Sequence, residues 1–375
     1  MSNSYGPDFS ALAKAGIRSL HPYQPGKPPE ELTRELGIVD PIKLASNENP
    51  LGPGEQALAA MQNRVAEIGR YPDGAGYELK AALAAHHDVA SDNVTLGNGS
   101  NEVLEFVARV FAGPGDEVVF SEHCFIVYPL VTQAIGATPV KVPAVNYGHD
   151  LEATAAAITP RTRVVFIANP NNPTGTWVTS EPLVKCLKAI PSDVVIVLDE
   201  AYFEYVSDPD YPDGIALQKQ FDNLVVTRTF SKIHGLASLR VGYAISNGAI
   251  ADLMNRVRQP FNVNDLSMAA AVGALADEAH VERSRALNAE GLASVGAALK
   301  GLGMAFIPSK GNFLTVDCKG EAGSIYDALL HEGVIVRPIA GYGLPNHLRV
   351  SIGTTEENER FLGAFESVLR KAGRL

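Results

Sequence analysis

Short apolar runs rich in β-branched residues recur along the chain, and polar-punctuated segments of helix length separate them. EVVF (117–120), TPVKVP (138–143), RVVFIAN (163–169), VVIVLDE (194–200), LVVTRTF (224–230) and RVGYAIS (240–246) are each of strand length. Strands buried on both faces read as near-continuous apolar runs, so the pattern predicts an α/β fold with a mostly parallel sheet covered by helices. NEVLEFVARVFA and EPLVKCLKAI read as two of those helices, and the alternation spans about residues 45–270. Beyond it, the alanine- and leucine-rich stretch from Met268 to Gly303 predicts long helices. NFLTVDC, GVIVRP and HLRVSIG then read as strands of a smaller sheet, giving an α+β unit over 271–375. The proline-punctuated opening, residues 1–44, predicts an extended arm that packs on another part of the molecule, here the smaller unit.

Composition narrows the function classes. The 375 residues are 46% hydrophobic and 19% charged, the balance of a globular protein, and no apolar run is long enough to span a membrane. The N-terminus has neither the basic start nor the apolar centre of a secretory signal, which predicts a cytoplasmic protein. Cys124, Cys186 and Cys318 are far apart and form no C-x-x-C spacing, so neither a disulfide framework nor a zinc site is expected. His86 and His87 are adjacent rather than one helical turn apart, and His123, His234 and His347 are scattered, so no metal site is predicted. A net charge of -11 argues against a phosphate-backbone binder and predicts no nucleic-acid partner. Any anionic ligand must therefore be met by local cations.

Ligands of doubly wound sheets gather at the carboxyl ends of the strands. Those ends are polar here: NPNNPTG follows one run, DEAY closes another, and SK follows LVVTRTF. Asn172, Asp199, Tyr202 and Lys232 are thus predicted at one rim. Taken singly, each has a structural explanation: turn chemistry, a helix cap, a solvated lysine. Turn punctuation does not explain an acid, a phenol, an amide and a lysine together. GNGSNEVLEFVARV supplies a glycine-containing turn opening an amphipathic helix, a place for a phosphate, and assigns Gly99, Ser100 and Asn101 to it. Gly97 and Gly99 mimic a dinucleotide fingerprint, but Glu102 stands where its third glycine belongs.

The chain resembles the fold-type I, pyridoxal-phosphate-dependent aminotransferases, and within them is similar to the histidinol-phosphate aminotransferases. The resemblance runs through HPYQPGKP, LASNENPLGP, RYPDGAGYELK, GNGSNEVLE, NPNNPTG, DEAYFEY, TFSKIHGLASLRVGY and GVIVRPIAGYGLPNHLRVSIGT, nearly the whole chain. It implies pyridoxal 5'-phosphate bound as a Schiff base to Lys232, which then carries protons between substrate and cofactor. Asp199 is implied as partner of the ring nitrogen, Asn172 and Tyr202 as partners of the phenolic oxygen, and Phe125 as the stacked aromatic, with Tyr128 as the alternative. Ser231 and Arg240 join Gly99, Ser100 and Asn101 at the cofactor phosphate; His234 is a weaker candidate for it.

For the substrate, the resemblance implies Arg349 at the α-carboxylate, with Asn47 closing over it, and Arg337, Tyr23 and Tyr71 at the distal phosphate. Tyr71 reaches from the other subunit of a homodimer with shared active sites. The implied reaction passes the amine of L-histidinol phosphate to 2-oxoglutarate, a small-molecule donor and a 2-oxo acid acceptor. An aromatic amino acid aminotransferase and an amino-acid-phosphate decarboxylase are the alternatives.

Overall fold

The computed structural model describes residues 9–20, 22 and 26–375. In chain order its strands are β1 (Ile42–Lys43), β2 (Val94–Gly97), β3 (Glu117–Ser121), β4 (Thr138–Val142), β5 (Thr162–Ala168), β6 (Val195–Asp199), β7 (Leu224–Thr229) and β8 (Gly242–Ile245). Five more follow: β9 (Phe306–Ile307), β10 (Phe313–Asp317), β11 (Val334–Ile335), β12 (Arg337–Pro338) and β13 (His347–Ser351). Seven of them form one sheet in the order β2-β8-β7-β6-β5-β3-β4, parallel from β4 to β7, with β8 antiparallel to both its neighbours. Four others form an antiparallel sheet, β12-β13-β10-β9.

Period-two alternation along the central strands builds two cores at once. Val164, Phe166 and Val197 face one helical layer, while Val165, Ile167, Ile196 and Leu198 face the other. Both faces are therefore dry, which is why these strands lack polar alternation. The chain differs from its sequence pattern in two places. VTLG makes an edge strand, β2, too short to stand out as a run. RVGYAIS starts its strand only at Gly242, because Arg240 takes the left-handed conformation, φ 54°, and turns the chain back.

The helix Asp265–Ala276 packs on Glu55–Arg64, and its Met268 and Ala271 join the larger core. Farther on, Glu278–Gly301 and Thr355–Lys371 pack together over the small sheet. β1 pairs in parallel with β11, and Ile42 and Leu44 bury into the small-sheet core. That pairing carries the segment after it, Ala45 to Asn49, between the two sheets.

Candidate active site

Adjacent parallel strands deliver polar side chains to one rim. Asn172 follows β5, Asp199 ends β6 with Tyr202 three residues on, and Ser231 and Lys232 follow β7; all five line a single cleft. Ser100, Asn101, Phe125 and Arg240 enter the same cleft from the large-sheet side. Asn47, Arg337 and Arg349 enter from the opposite wall. Arg337 and Arg349 are register partners of the antiparallel pair β12–β13, so both side chains leave the same face of that sheet.

Asp199 is buried, at 5% exposure. It continues the β6 face of Val195 and Val197, where Tyr128 also packs. The Tyr128 hydroxyl donates to Asp199 Oδ2 at 2.8 Å, and Thr227, its register partner on β7, donates to Oδ1 at 3.1 Å. Burial pushes the carboxyl pKa up, and the two hydrogen bonds oppose that rise. Glu200 faces the other way and accepts from Arg228 Nε and Nη2 at 3.0 and 2.8 Å in a buried ion pair. Strand alternation thus separates two consecutive acids into a site residue and a structural one.

Lys232 Nζ donates to the Ser46 carbonyl at 3.2 Å. Burial lowers its ammonium pKa to about 7, and Arg349 and Arg240 push in the same direction against Glu48 and Asp199. The shift favours the uncharged amine, whereas a solvated lysine is almost fully protonated at neutral pH.

At the large-sheet end of the cleft one guanidinium stands against a glycine turn that opens a helix. Arg240 Nη1 donates to Ser231 Oγ at 3.1 Å and to the Ala237 carbonyl at 3.2 Å. Gly99, at φ 78°, precedes the helix Ser100–Phe111, and a Cβ there would collide with the Arg240 guanidinium. Only glycine fits both the conformation and the approach. Glu102, which breaks the dinucleotide pattern, clamps this turn by accepting from the Asn98 backbone N–H and from Asn262 Nδ2, both at 2.6 Å.

On the opposite wall, Arg349 Nη1 donates to Asn172 Oδ1 at 2.6 Å and Nη2 to the Ala45 carbonyl at 2.7 Å. Its Nε is buried without a partner among the described residues. Asn47 Nδ2 donates to the Tyr202 hydroxyl at 2.9 Å, and Ser351 Oγ donates to Asn47 Oδ1 at 2.9 Å. Burial raises the Tyr202 phenol to about 12, with Arg349 opposing.

Two sequence expectations change, at Tyr128 and His234, while Tyr71 keeps its place outside its own chain's cleft. Tyr128 does not face the cleft: it is fully buried, its ring lies 4.6 Å from Phe166 in a parallel stack, and it supports Asp199 from behind. Tyr71 lies outside the cleft of its own chain, 84% exposed and stacked on Phe261 at 4.8 Å. His234 turns inward against Phe230, where burial drops its imidazole pKa to about 3. Tyr23 lies outside the described residues. Sequence reasoning missed Thr227 behind Asp199, and Ser46, Thr229 and Tyr342 in the cleft wall. The strand register is the signal that finds Thr227, and it exists only in three dimensions.

A model of the family "Aminotransferase class I and II" matches residues 39–365. The chain belongs to the class I and II aminotransferases. Among this aminotransferase's relatives is histidinol-phosphate aminotransferase 2 of Pseudomonas fluorescens, 56% identical over 97% of this chain and 99% of the relative. Histidinol-phosphate aminotransferase 1 of Nitrosococcus oceani is 53% identical over 97% and 98%. The crystal structure of histidinol-phosphate aminotransferase from Sinorhizobium meliloti, in complex with pyridoxal-5'-phosphate, superposes with a TM-score of 0.87 at 29% identity, covering 96% of this chain and 98% of that one. The aminotransferase described here therefore has the fold-type I architecture of pyridoxal-phosphate transferases. Among its described residues no helix is long and apolar enough to cross a membrane.

Proposed function

We propose that this chain is a pyridoxal 5'-phosphate-dependent histidinol-phosphate aminotransferase of histidine biosynthesis, moving the amine of L-histidinol phosphate to 2-oxoglutarate. The observation that carries the reading is the convergence in one cleft of a lysine with its pKa lowered to about 7, a buried carboxylate, a cradle for an anion and two arginines on one face of the small sheet. The names of relatives above 50% identity support the substrate. We take residues 45–270 as the cofactor-binding unit, 1–44 as the arm and 271–375 as the smaller unit. The enzyme is proposed to act in the cytoplasm as a homodimer in which the exposed Tyr71 serves the partner's cleft.

The residues fit the cofactor. Lys232 would hold it covalently, the Asp199 carboxylate would meet its ring nitrogen, and Asn172 and Tyr202 would flank its phenolic oxygen. Phe125 would stack on the ring, since Tyr128 is occupied behind Asp199. The Gly99–Asn101 turn, Ser231 and Arg240 would take its phosphate. Bound there, pyridoxal phosphate supplies an electron sink for the bond broken at the substrate's amino carbon. The neutral Lys232 amine would take the proton from that carbon and deliver it on the cofactor side, not back to the same carbon. Arg349 presents paired N–H groups to a carboxylate, which suits the α-carboxylate of the 2-oxo acid, and Arg337 meets the distal anion.

The absorbance of the protein-bound cofactor tests the reading. Bleaching by L-histidinol phosphate at much lower concentration than by L-phenylalanine is expected; the reverse order would make the enzyme an aromatic aminotransferase. Gly99→Ala is expected to weaken cofactor affinity about tenfold, because displacing Arg240 costs a charge-assisted contact. Equilibrium dialysis of pyridoxal phosphate against the apo-protein measures it, and unchanged affinity would remove Gly99 from the cradle.

A further inference from the structure

His123 lies two residues ahead of Phe125, in the turn that follows β3, and it is 8% exposed. Its ring Nδ1 is 2.8 Å from the Tyr342 carbonyl. A carbonyl can only accept, so Nδ1 carries the proton. Its own backbone carbonyl accepts from Asn171 Nδ2 at 2.7 Å, and the other hydrogen of that amide goes to Thr174 Oγ1 at 2.8 Å. One residue thus ties together three walls of the cleft. The first is its own turn, which carries Phe125. The second is the loop after β5, where the next residue, Asn172, accepts from Arg349. The third is the connection from β12 to β13, which holds Arg337 at one end and Tyr342 in a short 3-10 turn.

That third tie crosses between sheets. Arg337 and Tyr342 both line the cleft from the smaller unit, while His123 belongs to the larger one. The bond from His123 to Tyr342 therefore sets how close the distal wall stands to the ring-stacking wall. The Tyr147 ring backs His123 at 6.2 Å and meets His347 edge-on at 5.6 Å, so the imidazole is also held from behind.

We propose that His123 is a positioning residue for the distal end of the substrate, acting through the Tyr342 carbonyl to fix the wall that carries Arg337 and Tyr342. It touches no reacting atom. The inference rests on the transaminase reading above and concerns the same cleft. It makes His123 a determinant of discrimination between donors that reach the distal wall and donors that do not.

Paired amide substitutions test it in the holoenzyme. In His123→Asn the side-chain nitrogen falls near the Nδ1 position and can still donate to Tyr342, whereas in His123→Gln it falls near Nε2 and cannot. L-Histidinol phosphate reaches the distal wall and L-alanine does not, so steady-state kcat and KM are measured with each. His123→Gln is expected to raise the KM for histidinol phosphate about five- to tenfold with kcat within about twofold, the scale of one lost hydrogen bond. Its alanine rate should stay unchanged, and His123→Asn should restore the wild-type ratio. Equal losses with both donors, or equal behaviour of the Asn and Gln variants, would overturn the proposal. If wild-type enzyme prefers phenylalanine to histidinol phosphate, the substrate reading fails alone; the same ratio, taken with phenylalanine against alanine, then decides on His123.

Discussion

Lys232→Ala is expected to abolish the protein-bound cofactor band and to lower transamination on the order of 10⁴-fold, because covalent attachment and proton transfer, as proposed, would both depend on one amine. Heat stability should hardly fall, since Lys232 Nζ makes a single hydrogen bond to the Ser46 carbonyl and its burial as a cation is a cost. The wild-type amine gives a second readout. With its pKa lowered to about 7, the rate at which apo-protein captures pyridoxal phosphate should rise through pH 7 and level off above pH 8, because only the neutral amine attacks. A capture profile still climbing beyond pH 9 would mean the lysine is solvated and not activated. Arginine at 232 would keep the charge and restore nothing. A Lys232→Ala enzyme retaining more than about 1% of turnover would move the proton transfer to another group.

Asp199→Asn should lower kcat on the order of 10²- to 10³-fold, the scale of losing one preorganised electrostatic partner in a dry site. An amide keeps the volume, and its Oδ1 can accept from one of the two hydroxyls while its Nδ2 donates to the oxygen of the other, so folding survives while the negative charge is gone. The same substitution removes one of the two anions that raise the Lys232 pKa, so the midpoint of cofactor capture should move below 7. The two readouts are independent. A kcat loss with an unmoved midpoint would place Asp199 against the ring but too far from the lysine to feel it. An unchanged kcat would remove Asp199 from the ring nitrogen altogether.

Burial pattern and punctuation alone carried the layered α/β architecture, because strands dry on both faces must be apolar throughout and their ends must become polar where they meet the cleft. From the sequence, Asn172, Asp199 and Lys232 could be placed at strand ends by counting. Three other matters were decided by the tertiary structure. Asp199 and Glu200 are neighbours of equal chemistry, and only the pleat of β6 sends one to the cleft and the other to Arg228. Tyr128 and Phe125 sit three residues apart; only packing against Phe166 takes Tyr128 out of the cleft and under Asp199. Arg337 and Arg349 lie twelve positions apart, and the antiparallel register of β12 and β13 puts both on one face. Local sequence sets periodicity and chain direction, which fix what kind of element forms. Which side chains then meet depends on strand register and on the approach of two sheets, and those are set by packing summed over the whole chain.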